Sequence, residues 1–261
     1  MKRLYFFMFK LTPKDFKNFY LGFKFSFSYF SILPIKFKAS DDLSQKHVLA
    51  SMLFFLPFVG LILGLITTLV FSFLANLTWF GAIISALFYM ILYGFLHTEA
   101  VCDVADAIYA SHSAKDAYGI IKEPTVGAMG VLFSTATLLL KIGGGVFLLL
   151  HNLFMEFIAT LIISRLCLLF LFEQHEFRSS FSTTLKKSLT KPYLFSSFII
   201  FSILGTMLST NFMLFLLIGL LLSLLISYVI KSKIGFVNGD VLGATLEGIE
   251  ISLFIIIALF Q

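Results

Sequence analysis

Long apolar stretches recur along the chain, separated by shorter polar ones. A membrane-spanning helix needs roughly 20 mostly apolar residues. On that measure spans are predicted at about Val48–Ala75, Trp79–Leu96, Ala128–Leu150, Leu153–Phe172, Tyr193–Leu208, Phe212–Ile230 and, starting near Val241, Gly248–Phe260. The first is long enough to tilt, or to bend at Pro57. Phe19–Leu33 is apolar but carries Lys24 and several serines, so it reads as an interfacial helix lying on the membrane, with an eighth span as the alternative. The expected fold is all-α: a polytopic integral membrane helical bundle of about seven transmembrane helices plus an N-terminal interfacial helix.

Composition supports this pattern. Of 261 residues, 59% are hydrophobic and 13% charged, against about half and about a quarter in a typical soluble domain. Disorder, coiled coil and collagen are excluded. Cys102 and Cys167 are too few for a disulfide framework, and Cys167, in an apolar run, reads as a small buried hydrophobe. Met1–Phe9 is basic and then apolar, but Lys10, Lys14 and Lys17 interrupt it, so no cleavable signal peptide is expected.

The formal net charge is +5, and its distribution says more than its sum. Nine of the 19 Lys and Arg residues precede Val48. Others occupy the connections containing Lys115 and Lys122; Arg178, Lys186, Lys187 and Lys191; and Lys231 and Lys233. The alternate connections, Asn76–Thr78, His151–Asn152 and Ser209–Asn211, carry none. That pattern predicts a multi-pass protein of the cytoplasmic (inner) membrane, with its N-terminus and every sizeable loop on the cytoplasmic side. The lipid bilayer, and not nucleic acid, accounts for the basic excess. Residues 1–47 form a basic N-terminal segment, and residues 48–261 a single transmembrane helical domain with its site at the cytoplasmic face. The oligomeric state stays open.

Candidate chemistry lies in four places. His97, Glu99, Asp103 and Asp106 close the second span, and the three acids are spaced four and three apart, on one face of a helix. Like charges at that spacing repel, and a hard divalent cation removes the repulsion; all-oxygen ligands favour Mg²⁺, Mn²⁺ or Ca²⁺ over Zn²⁺. A solvated acidic helix end is the plainer alternative. His97 orients a carboxylate, moves a proton, or simply sits at the interface. The segment Asn238-Gly239-Asp240-Val241-Leu242-Gly243-Ala244-Thr245-Leu246-Glu247 puts two acids seven apart on one side of a helix, with Gly243 leaving room for close approach and Glu250 three residues further on. Asp240 also suits a simple N-cap. Lys122-Glu123-Pro124-Thr125-Val126-Gly127 offers a cation, a carboxylate and a helix start whose free amides suit phosphate oxygens. Finally, Lys141 and Arg165 lie inside predicted spans. Either Arg165 snorkels to the surface, or both face the bundle interior and hold an anionic ligand or an acidic cluster.

Taken in order, these motifs resemble the integral-membrane cobalamin synthase family, the adenosylcobinamide-GDP ribazoletransferases. The family pattern His-x-Asp-Gly-x-x-Asp-x-x-Asp-Gly reads here as His97-Thr98-Glu99-Ala100-Val101-Cys102-Asp103-Val104-Ala105-Asp106-Ala107. The family's Gly-Asp-x-x-Gly-Ala-x-x-Glu is intact from Gly239 to Glu247. Leu33-Pro34, Pro57-Phe58-Val59-Gly60, Lys141 and Ser164-Arg165 also match. The departures are Glu99 for Asp, Ala100 and Ala107 for Gly, Ile32 for Arg, and Lys122-Glu123-Pro124-Thr125 for Arg-Asp-Ser-Arg.

The resemblance implies an enzyme that joins adenosylcobinamide-GDP to α-ribazole or its 5′-phosphate and releases GMP. It also implies Mg²⁺ held by Glu99, Asp103, Asp106 and Asp240, with His97, Asp103, Asp106 and Asp240 as the catalytic set. Lys122, Glu123, Gly127, Lys141, Arg165, Gly239, Gly243 and Glu247 would bind substrate. Two rival readings are a secondary carrier for divalent cations or another small ion, and a different membrane phosphotransferase, one acting on a CDP-alcohol.

Overall fold

A computed structural model describes residues 13–110 and 116–261. Met1–Phe9, Lys10 and Lys115, which entered the sequence reading, lie outside the described residues. Within them the chain is all-α, with no strand. The helices are α1 (Pro13–Phe30), α2 (Lys46–Phe54), α3 (Leu56–Leu74), α4 (Trp79–Leu92), α5 (Leu96–Ala110) and α6 (Ala117–Lys122). They continue with α7 (Ala128–Leu150), α8 (Phe154–Gln174), α9 (Ser180–Ser188), α10 (Lys191–Leu208), α11 (Phe212–Ile234) and α12 (Gly239–Leu259). Six of the described helices are long and apolar enough to cross a membrane: α3 with the short turn after it, α7, α8, α10, α11 and α12. The pair α4 and α5 makes a seventh if counted as one broken span, bent by 77°. The protein is a multi-pass membrane bundle.

Two expected continuous spans are interrupted. The first does not run on from Val48 through Pro57; α2 stops at Phe54 and α3 starts at Leu56. Pro57 stands in the first turn of α3. There its missing N–H costs nothing, whereas inside one long helix its ring would meet the carbonyl four residues back. The proline therefore opens a new helix, where one span that tilts or bends had been expected.

The second interruption decides where the chemistry goes. α4 ends in a Schellman motif, in which Phe95 N–H donates to the Met90 carbonyl (3.1 Å) and Gly94 N–H to that of Ile91 (2.8 Å). Gly94 takes φ 65° and Phe95 φ 54°. Glycine adopts that conformation without penalty, and it turns the chain sharply. The acidic motif consequently sits on a separate helix, α5, set across the end of α4.

α8 is the central post of the bundle, buried along most of its length, while α7 and α10 keep most of their surface outward. α8 is apolar nearly all round, as an internal helix must be. α3, α11 and α12 pack around it. α1, expected on the membrane surface, packs chiefly along α2. The connections α3–α4, α7–α8 and α10–α11 are tight turns. They gather at one end, so that α5, α6 and α9 share the other.

Candidate functional site

The two acidic motifs meet. α5 packs along the first turns of α12. The crossing is close at Gly243, where a Cβ would lie 2.7 Å from the Ala100 Cβ. Among neighbouring carboxylates, Asp240 acts on Asp103 more strongly than do Glu99 and Asp106 of Asp103's own helix. Asn238, to which the sequence reading gave no role, builds the start of α12. Its side-chain oxygen accepts from Val241 N–H (3.1 Å), and its amide donates to Asp240 Oδ2 (2.7 Å). The signal was legible: Asn is a favoured N-cap ahead of an apolar helix. Among the described residues no Lys or Arg pairs with Glu99, Asp103, Asp106 or Asp240.

Asp106 has a specific task. It accepts from Gly127 N–H (2.6 Å) and Gly130 N–H (2.7 Å) at the start of α7. The phosphate cradle expected at Gly127 is thus filled by the protein's own carboxylate. The same helix-end electrostatics favour either anion. A Cβ on Gly130 would run into that carboxylate and into Cys102 Sγ. Gly130→Ala is expected to cost about 1–3 kcal/mol, the scale of overpacking a filled site, measured as a fall in unfolding temperature in detergent. An unchanged transition would show that the α5–α7 junction yields freely.

Two cavities flank this junction. One, of about 120 Å³, is walled by Tyr29, Phe30, Leu168, Phe172, Phe181 and Leu185, with His97, Ser182, Gly239 and Asp240 as its polar part. His97 is 5% exposed. It is stacked against Phe30 and Tyr93, at 6.4 and 5.4 Å between centroids. Burial, and then the charge of Asp240, raise the Tyr29 phenol above its ordinary range. The other cavity, of about 320 Å³, is lined by Asp106, Tyr109, Glu123, Thr125, Gly127 and Met129. Lys122, next to it in sequence, is exposed and lies 4.2 Å from the Tyr118 ring centroid.

Lys141, Arg165 and Glu247 line neither cavity. They belong to a buried network between α4, α7, α8 and α12. Lys141 Nζ lies 2.5 Å from Glu247 Oε2 and 2.8 Å from Glu250 Oε2. Arg165 pairs with Glu250 and donates to the Tyr89 hydroxyl (3.1 Å). Tyr89 and Ser164 donate to Glu250 at 2.9 and 2.8 Å, and Tyr93 to Glu247 at 2.8 Å. Of the two readings for Arg165, snorkelling is overturned, since the side chain is 2% exposed. The cations hold an acidic cluster, and two positive charges meet two negative ones. The tyrosines escaped sequence reading because a phenol at a span end usually marks the interface. Two cations and two glutamates inside spans were the visible clue.

A model of the cobalamin-5-phosphate synthase family matches residues 22–258. The chain belongs to that family. Curated relatives agree. An adenosylcobinamide-GDP ribazoletransferase of Clostridium perfringens (strain SM101 / Type A) is 27% identical over 248 residues, covering 90% of this chain and 96% of the relative. One of Chlorobium chlorochromatii (strain CaD3) is 31% identical over 235 residues, covering 86% and 90%. No solved structure matches the chain. Both motifs by which the chain resembles the cobalamin-5-phosphate synthase family, from His97 and from Gly239, stand at the α5–α12 crossing.

Proposed function

We infer that this chain is the membrane transferase that assembles the nucleotide loop of cobalamin, joining adenosylcobinamide-GDP to α-ribazole or its 5′-phosphate. The observation that carries the reading is the meeting of α5 and α12 at one end of the bundle. It gathers carboxylates more than a hundred residues apart in sequence and leaves them without basic partners among the described residues. In the reaction a ribose hydroxyl attacks the cobinamide-side phosphorus. A new O–P bond forms, the bond from that phosphorus to the bridging oxygen breaks, and GMP leaves with the bridging oxygen and its electron pair.

Among the described residues no three His, Cys, Asp or Glu side chains close around a single point. An unbalanced, all-oxygen set of this looser kind fits a Mg²⁺ that keeps waters and shares its shell with substrate phosphates. Glu99, Asp103 and Asp240 would hold it, with Asp106 anchoring α7 beside them. When bound, Mg²⁺ supplies neutralisation of the diphosphate oxygens. Asp240, tethered by Asn238, orients the ribose hydroxyl and takes its proton, the role first read for His97. Lys122 and Glu123 meet substrate at the larger cavity. Lys141, Arg165 and Glu247 act as positioning residues, because they fix the helices that present α5 and α12. The positive charge of the loops at this end supports a cytoplasmic orientation in the inner membrane.

Membranes carrying the protein, given adenosylcobinamide-GDP, α-ribazole and Mg²⁺, are expected to yield GMP and a cobalamin. The yield should vanish with chelator and return with Mg²⁺ or Mn²⁺. Full activity in chelator would remove the metal from the mechanism, and absence of GMP under all conditions would remove the transferase.

A further inference from the structure

The 120 Å³ cavity has a composition unlike the rest of the site. Its walls are aromatic and aliphatic, contributed by α1, α3, α5, α8, α9 and α12. Tyr29 and Phe181 face one another across 5.4 Å between centroids, tilted by 35°. His97 lines the same space. Although buried, it forms no hydrogen bond to any described residue through its ring nitrogens, and both of its aromatic contacts are stacked ones. A buried polar ring that leaves its hydrogen-bonding capacity open toward a cavity is a place for a ligand to complete. Asp240 stands on the lining as well. Whatever enters is therefore apolar and flat at one end and reaches a carboxylate at the other.

Size narrows the choice. An apolar cavity of about 150 Å³ holds one benzene ring. A space of 120 Å³ that is open on one side takes one ring of a fused bicycle and leaves the second at the mouth. We propose that this cavity receives the aromatic base of the incoming riboside: the carbocyclic ring lies between Phe30, Phe172 and Phe181, and His97 offers its free ring nitrogen to the base. This rests on the transferase reading above and deepens it. The base then sets the distance of the ribose hydroxyl from Asp240, and the cavity wall selects which bases are accepted. The diphosphate is left to the carboxylates of α5, outside the aromatic walls.

The test uses the full chain in lipid nanodiscs, with two variants. Ser182→Leu fills the cavity from its polar side, and Phe181→Ala, at a partly exposed wall, enlarges it. Free benzimidazole is the binding probe. Ribosides whose base is benzimidazole, with and without methyl groups on its carbocyclic ring, are the transfer substrates. Wild-type protein is expected to bind benzimidazole, and Ser182→Leu to lose that binding. Phe181→Ala should shift the kcat/KM ratio toward the methylated base by about tenfold, the scale of a methylene in an apolar pocket. In Phe181→Ala the dependence on adenosylcobinamide-GDP concentration should stay as in wild type. If Ser182→Leu does not fold, the Phe181→Ala ratio decides alone.

An unchanged ratio overturns the proposal, as does a shift confined to adenosylcobinamide-GDP. Failure of the transferase reading looks different. Transfer would then be absent from wild type, and benzimidazole binding that is lost on filling would still support the cavity as a base site. Wild-type protein that transfers but binds no benzimidazole overturns the cavity assignment and leaves the transferase standing.

Discussion

Glu250→Ala is expected to destabilise the protein more than any other single change in its interior. Glu250 is fully buried and accepts from Arg165, Ser164 and Tyr89, with Lys141 2.8 Å away. Removing it leaves a guanidinium without its carboxylate and an ammonium with one partner in place of two, all shielded from water. Breaking a buried pair in this way costs about 3–5 kcal/mol. That is a large share of the 5–15 kcal/mol that holds a typical fold together. The expected result is a poor yield of monodisperse protein and a strongly lowered unfolding temperature in detergent. Glu250→Gln retains a polar acceptor and should lose less. An unfolding temperature for Glu250→Ala equal to that of wild type would show that the network does not hold the helices together.

The second large effect concerns activity. Asp103→Asn and Asp240→Asn are each expected to lower the transfer rate by about a hundredfold or more, the scale of removing one preorganised charge-stabilising group. The double variant should cost little beyond the worse single one, because groups that act as a unit are non-additive. The physical basis is that Asp240 is the carboxylate acting most strongly on Asp103, across the α5–α12 crossing. A double-mutant cycle on the transfer rate checks this. Full additivity would indicate two separate sites, and would favour a carrier or two independent ligand pockets.

Much of this architecture was legible in the order of apolar residues. α7 has the predicted bounds, Ala128–Leu150, and α12 starts two residues ahead of the expected Val241. Both helices are continuous, and hydropathy suffices for a helix with no break. It does not suffice where one residue changes direction. Gly94 is a single glycine in an apolar run, and its left-handed φ depends on the Schellman bonds that surround it. Asp106 shows a related limit. Its spacing from Glu99 and Asp103 suggested a common ligand, yet its oxygens are drawn to the amides of α7, which sequence alone could not place beside it. An inward position for Lys141 and Arg165 was one of the two readings open from sequence, since ionised groups inside spans are costly. Their partners became clear only when α4, α7, α8 and α12 came together.

The ion-pair network also bears on how the protein is made. Lys141 and Arg165 emerge from the ribosome on α7 and α8, while both glutamates wait on α12, the last of the described helices. Until α12 enters, the nascent bundle carries two uncompensated cations at membrane depth, where each costs several kcal/mol. The charge balance of Lys141 and Arg165 is therefore tied to the docking of α12. A chain cut before Gly239 would lose both counter-charges together with Asp240, and is expected to unfold at a lower temperature than the whole chain.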